Sequence, residues 1–80
     1  MTVAVRLFAR VRELAGAELV RLDIATNTVA GILVGLAAHY PQAAGLIARS
    51  AVAVNGEYAP GEQSVNAEDE IALIPPVSGG

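Results

Sequence analysis

The clearest feature of this sequence is one helical pattern of apolar residues. In the other regular segments, apolar and polar residues alternate, which is typical of strands. Between Thr28 and Pro41, apolar side chains recur at three- and four-residue spacing, which is typical of one buried helix face. That face comprises Val29, Ile32, Leu33, Leu36, Ala37 and Tyr40. Thr28 is placed to cap the first turn, and Pro41 ends the helix. A single long helix must bury its apolar face against other elements, which favours a small sheet covered by that helix.

Two strands are predicted before this helix. Alternating apolar residues indicate one strand that begins near residue 3 and a second strand over residues 18–24. The inward-facing set is Val3, Val5, Leu7, Val20, Leu22 and Ile24. Phe8 falls on the outer face of the first strand with Arg6, and residues 10–16 predict a short helical turn between the strands. Gly31 and Gly35 lie off the buried face of the long helix, where we expect either chance or close packing.

Three further strands are predicted after the helix. They are residues 51–54, 57–59 and 70–74, and the last one is largely buried. Asn55 and Gly56 favour a type I′ hairpin turn because both residues tolerate positive φ. Residues 41–50 predict a short helical turn or a packed loop, and Pro75 blocks continuation of the final strand. Strands mixed with one main helix indicate an α+β fold in one domain over residues 1–80.

Composition excludes several classes of function. The chain has no cysteine and no lysine, so disulfides, thiolate nucleophiles, lysine Schiff bases and lysine-linked self-polymers are excluded. One histidine, His39, does not form a metal site alone. A formal net charge of −3 argues against nucleic acid. The weakly polar stretch 28–38 is about half of the ~20 residues that a membrane span requires. We expect a cytoplasmic protein without metal or membrane, since the N-terminal segment lacks secretory features.

The C-terminal segment IPPVSGG has an unusual composition, with two prolines, two small residues and two glycines. Gly79 and Gly80 lack Cβ atoms, so they form a thread that enters channels closed to other residues. Pro75 and Pro76 restrict the free chain and so lower the entropy lost when the tail is fixed in a partner. A carboxylate is a poor electrophile, so acyl chemistry at Gly80 requires activation by another enzyme, for example as an acyl-adenylate. We therefore expect a flexible tail over residues 75–80 that delivers a carried group.

Four segments together resemble the small, sulfur-carrier subunit of molybdopterin synthase, a ubiquitin-like family. They are LFARVREL, VNGE, AEDEIALIPP and the terminal PPVSGG. The resemblance implies a β-grasp fold, in which one main helix covers one face of a mixed sheet and the last strand lies centrally beside the first. It also implies a non-catalytic carrier that binds no cofactor. An adenylating enzyme activates the terminal glycine with ATP, and the product becomes a thiocarboxylate. The large synthase subunit, in a heterotetramer, then uses that sulfur to build the molybdopterin dithiolene.

The same resemblance implies roles for individual residues. Gly80 carries the sulfur and Gly79 gives it clearance. The partner-binding set comprises Phe8, Arg12, Ile74, Pro75, Pro76, Val77 and Ser78. For Phe8 the alternative is ordinary core packing. Arg12 either steadies the tail, binds an acidic partner or is a solvated surface residue. The acidic run 68–70 either meets a basic surface of the activating enzyme or forms a solvated turn.

Other functions remain open at this point. Carriers for thiamine or cysteine biosynthesis share the terminal Gly-Gly but usually lack the two prolines. A ubiquitin-like protein modifier, or a passive binding module, also fits the chain. Attachment of Gly80 to other proteins is not excluded by the lack of lysine in this chain.

Overall fold

A five-stranded mixed sheet forms the centre of the fold. The structure is a computed structural model and describes residues 1–76. The strands are β1 (Thr2–Leu7), β2 (Leu19–Asp23), β3 (Ala51–Val54), β4 (Glu57–Tyr58) and β5 (Ile71–Ile74), in the spatial order β2-β1-β5-β3-β4. The last strand, β5, pairs parallel with β1 and antiparallel with β3. The predicted central position of the last strand is therefore confirmed.

Three helices and a 3₁₀ turn connect the strands. They are α1 (Ala9–Ala15), α2 (Val29–His39), the 3₁₀ turn Pro41–Ala43 and α3 (Ala44–Ala48). The hydroxyl of Thr28 caps α2 as predicted, since its Oγ1 accepts a hydrogen bond from the Gly31 amide at 3.1 Å. The segment after α2 is helical in two short pieces. In residues 1–76 no single helix is long and apolar enough to cross a membrane, although α2 and Pro41–Ala48, bent by 114°, together reach that length.

The core lies between the helices and one face of the sheet. All six residues predicted to face inward are buried, and they pack with Val29, Ile32 and Leu36 of α2. The other predicted members of the helix face, Leu33, Ala37 and Tyr40, are partly buried against the same core. Val11 of α1 and Ile47 of α3 join this cluster, so the main helix shares its side of the sheet with shorter elements. Among residues 1–76, no helix covers the opposite face of the sheet.

Close packing, and not chance, explains the two glycines of α2. A Cβ atom at Gly31 would overlap the backbone carbonyl oxygen of Thr26. At Gly35 it would lie 3.1 Å from Leu22 Cδ2, a side-chain atom of β2 that can shift. Gly31 therefore allows α2 to approach the loop that joins it to β2.

Candidate functional site

A shallow groove crosses the uncovered face of the sheet. Strand register places Arg6 beside Ala72, Ala72 beside Ala53, and Ala53 beside Tyr58. The two alanines form a low floor between the longer arginine and tyrosine side chains. We call this concavity of about 360 Å³ the sheet groove; it is lined by Arg6, Phe8, Ala53, Tyr58, Ala72 and Ile74.

A second groove lies between the helices and the end of β5. We call it the helix groove, and its volume is about 810 Å³. It is lined by Phe8, Arg10, Glu13, Leu46, Arg49, Ile74 and Pro76. Phe8 and Ile74 belong to both grooves, so they form the ridge between them. The chain leaves the sheet at this ridge.

Phe8 is a surface residue and not part of the core. It precedes α1 with extended backbone angles (φ −129°, ψ 159°), and 44% of its surface is exposed. Core packing, the alternative for this residue, is therefore excluded. Ile74 and Pro75 are partly buried and Pro76 is exposed. The structure thus brings together four residues of the predicted partner-binding set, whereas Val77, Ser78, Gly79 and Gly80 lie outside the described residues.

Arg12 lies apart from both grooves. Its Nη2 atom is 2.9 Å from Oε1 of Glu18, and the two side chains are 53% and 70% exposed. Such an exposed pair contributes at most about 1 kcal/mol to stability, and about half of the Arg12 side chain remains exposed. Arg12 therefore ties α1 to the start of β2. A contact between Arg12 and a partner remains a prediction.

The β3–β4 hairpin, which presents Tyr58, is held by an asparagine. Asn55 and Gly56 both have positive φ, 52° and 85°, as predicted for this turn. The Asn55 side chain accepts a hydrogen bond from the Glu70 amide at 2.9 Å and donates one to Asp69 Oδ1 at 3.1 Å. The other oxygen of Asp69 accepts from the Asn66 amide at 2.8 Å. Asp69 is therefore engaged within the fold, while Glu70 and Glu68 are exposed.

Sequence reasoning missed several groove residues. Tyr58 is 72% exposed, and its place opposite Ala53 follows from the two-residue turn, so the register offered a usable signal. Arg10 and Arg49 both line the helix groove although they are far apart in the chain. No spacing in the sequence indicates that these two arginines line one groove, because their positions depend on the tertiary arrangement of α1 and α3.

The sequence profile of the ThiS family matches residues 5–80, which is nearly the whole chain. This chain belongs to the ThiS family. Two relatives of this ThiS-family chain are named molybdopterin synthase sulfur carrier subunit. The protein from Dictyostelium discoideum is 40% identical over 92% of this chain and 91% of its own. The protein from Arabidopsis thaliana is 35% identical over 98% of this chain and 82% of its own.

The fold of this ThiS-family chain is shared with a solved protein. The crystal structure of SAMP1, the small archaeal modifier protein 1, from Haloferax volcanii superimposes with a TM-score of 0.83. The two chains are 34% identical, and the match covers 100% of each. The α+β, ubiquitin-like β-grasp architecture expected from the sequence is therefore confirmed.

Proposed function

We propose that this ThiS-family chain is the sulfur carrier of a molybdopterin synthase, with the Gly80 carboxyl group as the point of attachment. The observation that carries the proposal is its 40% identity, over 92% of its length, to a relative named as that subunit. The proposal places the chain in the cytoplasm, where ATP is available. It makes the chain a cosubstrate that provides no catalytic side chain.

The chemistry takes place on the terminal acyl group. In the proposed sequence, a carboxylate oxygen of Gly80 attacks the α-phosphorus of ATP within an adenylating enzyme, and pyrophosphate leaves. The terminal sulfur of a persulfide on a donor protein then displaces AMP and forms an acyl disulfide with Gly80. A thiol attacks the donor-side sulfur of this S–S bond, so that Gly80 is released as a thiocarboxylate and the donor is left in a disulfide with that thiol. The chain has no cysteine, which agrees with sulfur carried on the backbone terminus. Both the adenylation site and the sulfur donor belong to partners.

The end of β5 supports delivery of the tail to a partner. This strand is held by backbone pairing to β1 on one side and β3 on the other, so its end is a fixed platform. Pro75 and Pro76 then restrict the first residues of the tail. In the proposal, the large synthase subunit contacts Phe8 and Ile74 and encloses the tail, within a heterotetramer. Val77 and Ser78 line the entry, and Gly79 lets Gly80 reach the reacting pterin.

Reconstitution with purified partners tests the pathway. The thiocarboxylated chain is mixed with the large synthase subunit and the cyclic pyranopterin precursor, and the pterin product is identified by mass spectrometry. In parallel it is mixed with the thiazole-forming enzymes of thiamine biosynthesis and with a cysteine-forming acceptor. We expect the dithiolene product in the first reaction alone. Sulfur transfer in either of the other reactions, without dithiolene, would refute the assignment to molybdopterin.

A second candidate function is attachment to other proteins. The full-length similarity to a protein named a modifier, at 34% identity, favours it. Activated Gly80 would then acylate lysine amines of target proteins, with AMP as the leaving group. Incubation with the activating enzyme, ATP and a cell extract, followed by peptide mass spectrometry, detects such conjugates. Isopeptides that end in Gly80 would support this function, and free thiocarboxylate alone would oppose it.

A further inference from the structure

Within residues 1–76, two arginines of the helix groove form no ion pair. Ion pairs among residues 1–76 join the Met1 amine to Asp23 and Arg12 to Glu18, and neither involves Arg10 or Arg49. Both arginines line the helix groove, next to the place where the chain leaves the fold. The protein as a whole has a net charge of −3, with eight acidic residues against five arginines. Two of the five arginines of this acidic protein therefore lie at the base of the tail, with one acidic residue, Glu13, in the same groove.

We propose that Arg10 and Arg49 form a docking site for acidic side chains that surround the tail-receiving channel of the large synthase subunit. This inference rests on the proposed function, because it specifies the partner chemistry at the same end of the molecule. It assigns to these arginines a role in association, separate from the chemistry at Gly80.

The tail is short, so a partner that encloses its end must come close to this groove. Pro76 lines the helix groove, and the four residues beyond it span at most about 14 Å. A protein that encloses Gly80 must therefore approach closely over Pro76 and the arginines beside it. At physiological ionic strength, charges interact over about 8 Å, so groups on the approaching surface interact with both guanidinium groups.

The two arginine side chains favour an acidic partner surface over a neutral or basic one. A neutral or basic surface would desolvate or repel two unpaired guanidinium groups, whereas carboxylates replace the lost water with charged hydrogen bonds. Glu13 also lines the groove and lowers its positive potential.

Association kinetics provides the test. Stopped-flow mixing of the full-length chain with the large subunit is carried out at low and high salt. Arg10→Glu and Arg49→Glu should each lower the association rate constant at least about threefold at low salt, with a smaller effect at high salt. Neutral Arg10→Gln and Arg49→Gln variants should show a weaker loss. Glu13→Gln should raise the rate constant, because it removes the opposing charge.

Arg21→Glu is the matched control. Arg21 is exposed, lies on β2, and lines neither groove, so the same charge change there should leave the rate constant near that of the wild type. Circular dichroism confirms that each variant is folded. Equal rate constants for the Arg10, Arg49 and Arg21 variants would overturn the site, as would a loss confined to charging by the activating enzyme. Absence of binding by the wild-type chain would instead contradict the proposed function.

Discussion

Phe8 and Ile74 follow a register pair on adjacent parallel strands, Leu7 of β1 and Leu73 of β5, and each borders both surface grooves. The parallel pairing of the last strand with the first is what places them together, although they are 66 positions apart (74 − 8). The ridge that they form stands at the base of the tail. In the proposed complex, a partner that receives Gly80 lies close to this apolar ridge.

Truncation of the ridge should weaken partner binding without unfolding the protein. Phe8→Ala is expected to raise the Kd for the large subunit about 30-fold, or by about 2 kcal/mol, because exposed aromatic anchors dominate interfaces. Its free energy of unfolding should change by less than about 1 kcal/mol, since the side chain is 44% exposed. Calorimetric titration and urea unfolding measure the two quantities.

Val34→Ala is the control for the ridge. Val34 is 71% exposed on α2 and lines neither groove, so its truncation should leave the Kd unchanged. If Phe8→Ala and Val34→Ala bind equally well, the ridge is not part of the interface.

The Asn55 hairpin should tolerate glycine better than alanine. Asn55→Gly keeps the positive φ of 52° but removes the hydrogen bonds to Glu70 and Asp69, at a cost of about 1 to 2 kcal/mol. Asn55→Ala removes the same bonds and also strains the left-handed backbone, which adds about 1 kcal/mol. Urea unfolding of both variants compares the two costs. Equal stabilities would show that backbone strain contributes nothing at this turn.

Gly31 should be the least replaceable glycine of the helices. Gly31→Ala forces its new methyl group against the Thr26 carbonyl and should lower the free energy of unfolding by about 1 to 3 kcal/mol. Gly45→Ala in α3 meets no atom within 4 Å and should raise it by up to about 1 kcal/mol. Thermal unfolding of the Gly31→Ala and Gly45→Ala variants measures the difference in stability. A Gly31→Ala protein as stable as the wild type would contradict the tight approach of α2.

Local sequence patterns predicted the helices and strands of this fold, but not which of them lie beside one another. The six inward strand residues, the cap at Thr28 and the turn at Asn55 were all predictable, because each depends on side chains within a few positions. The central place of β5 is different, since the period of a strand does not specify its partners. It was expected from the order of the elements together with the resemblance to a known family.

The residues that lie together at the base of the tail could not be predicted from the sequence, because their positions depend on tertiary packing. Alternation placed Phe8 on the outer face, but only the structure shows that α1 leaves it exposed beside Ile74. Arg10 and Arg49 line the same groove although one belongs to α1 and the other follows α3, and no short-range pattern in the sequence encodes that arrangement. The tight contact at Gly31 likewise depends on the path of the loop before α2.

Intact-mass measurement after charging is the most direct test of the account. The wild-type chain is incubated with an adenylating enzyme, ATP and a sulfur donor, beside one variant that lacks Gly80 and another with an alanine appended after it. The account predicts that sulfur replaces one oxygen in the wild type alone, with fragment ions that locate it at Gly80, while all three proteins have the same circular dichroism. An unchanged wild-type mass under conditions that charge a known carrier, or replacement of oxygen by sulfur in either variant, would contradict it.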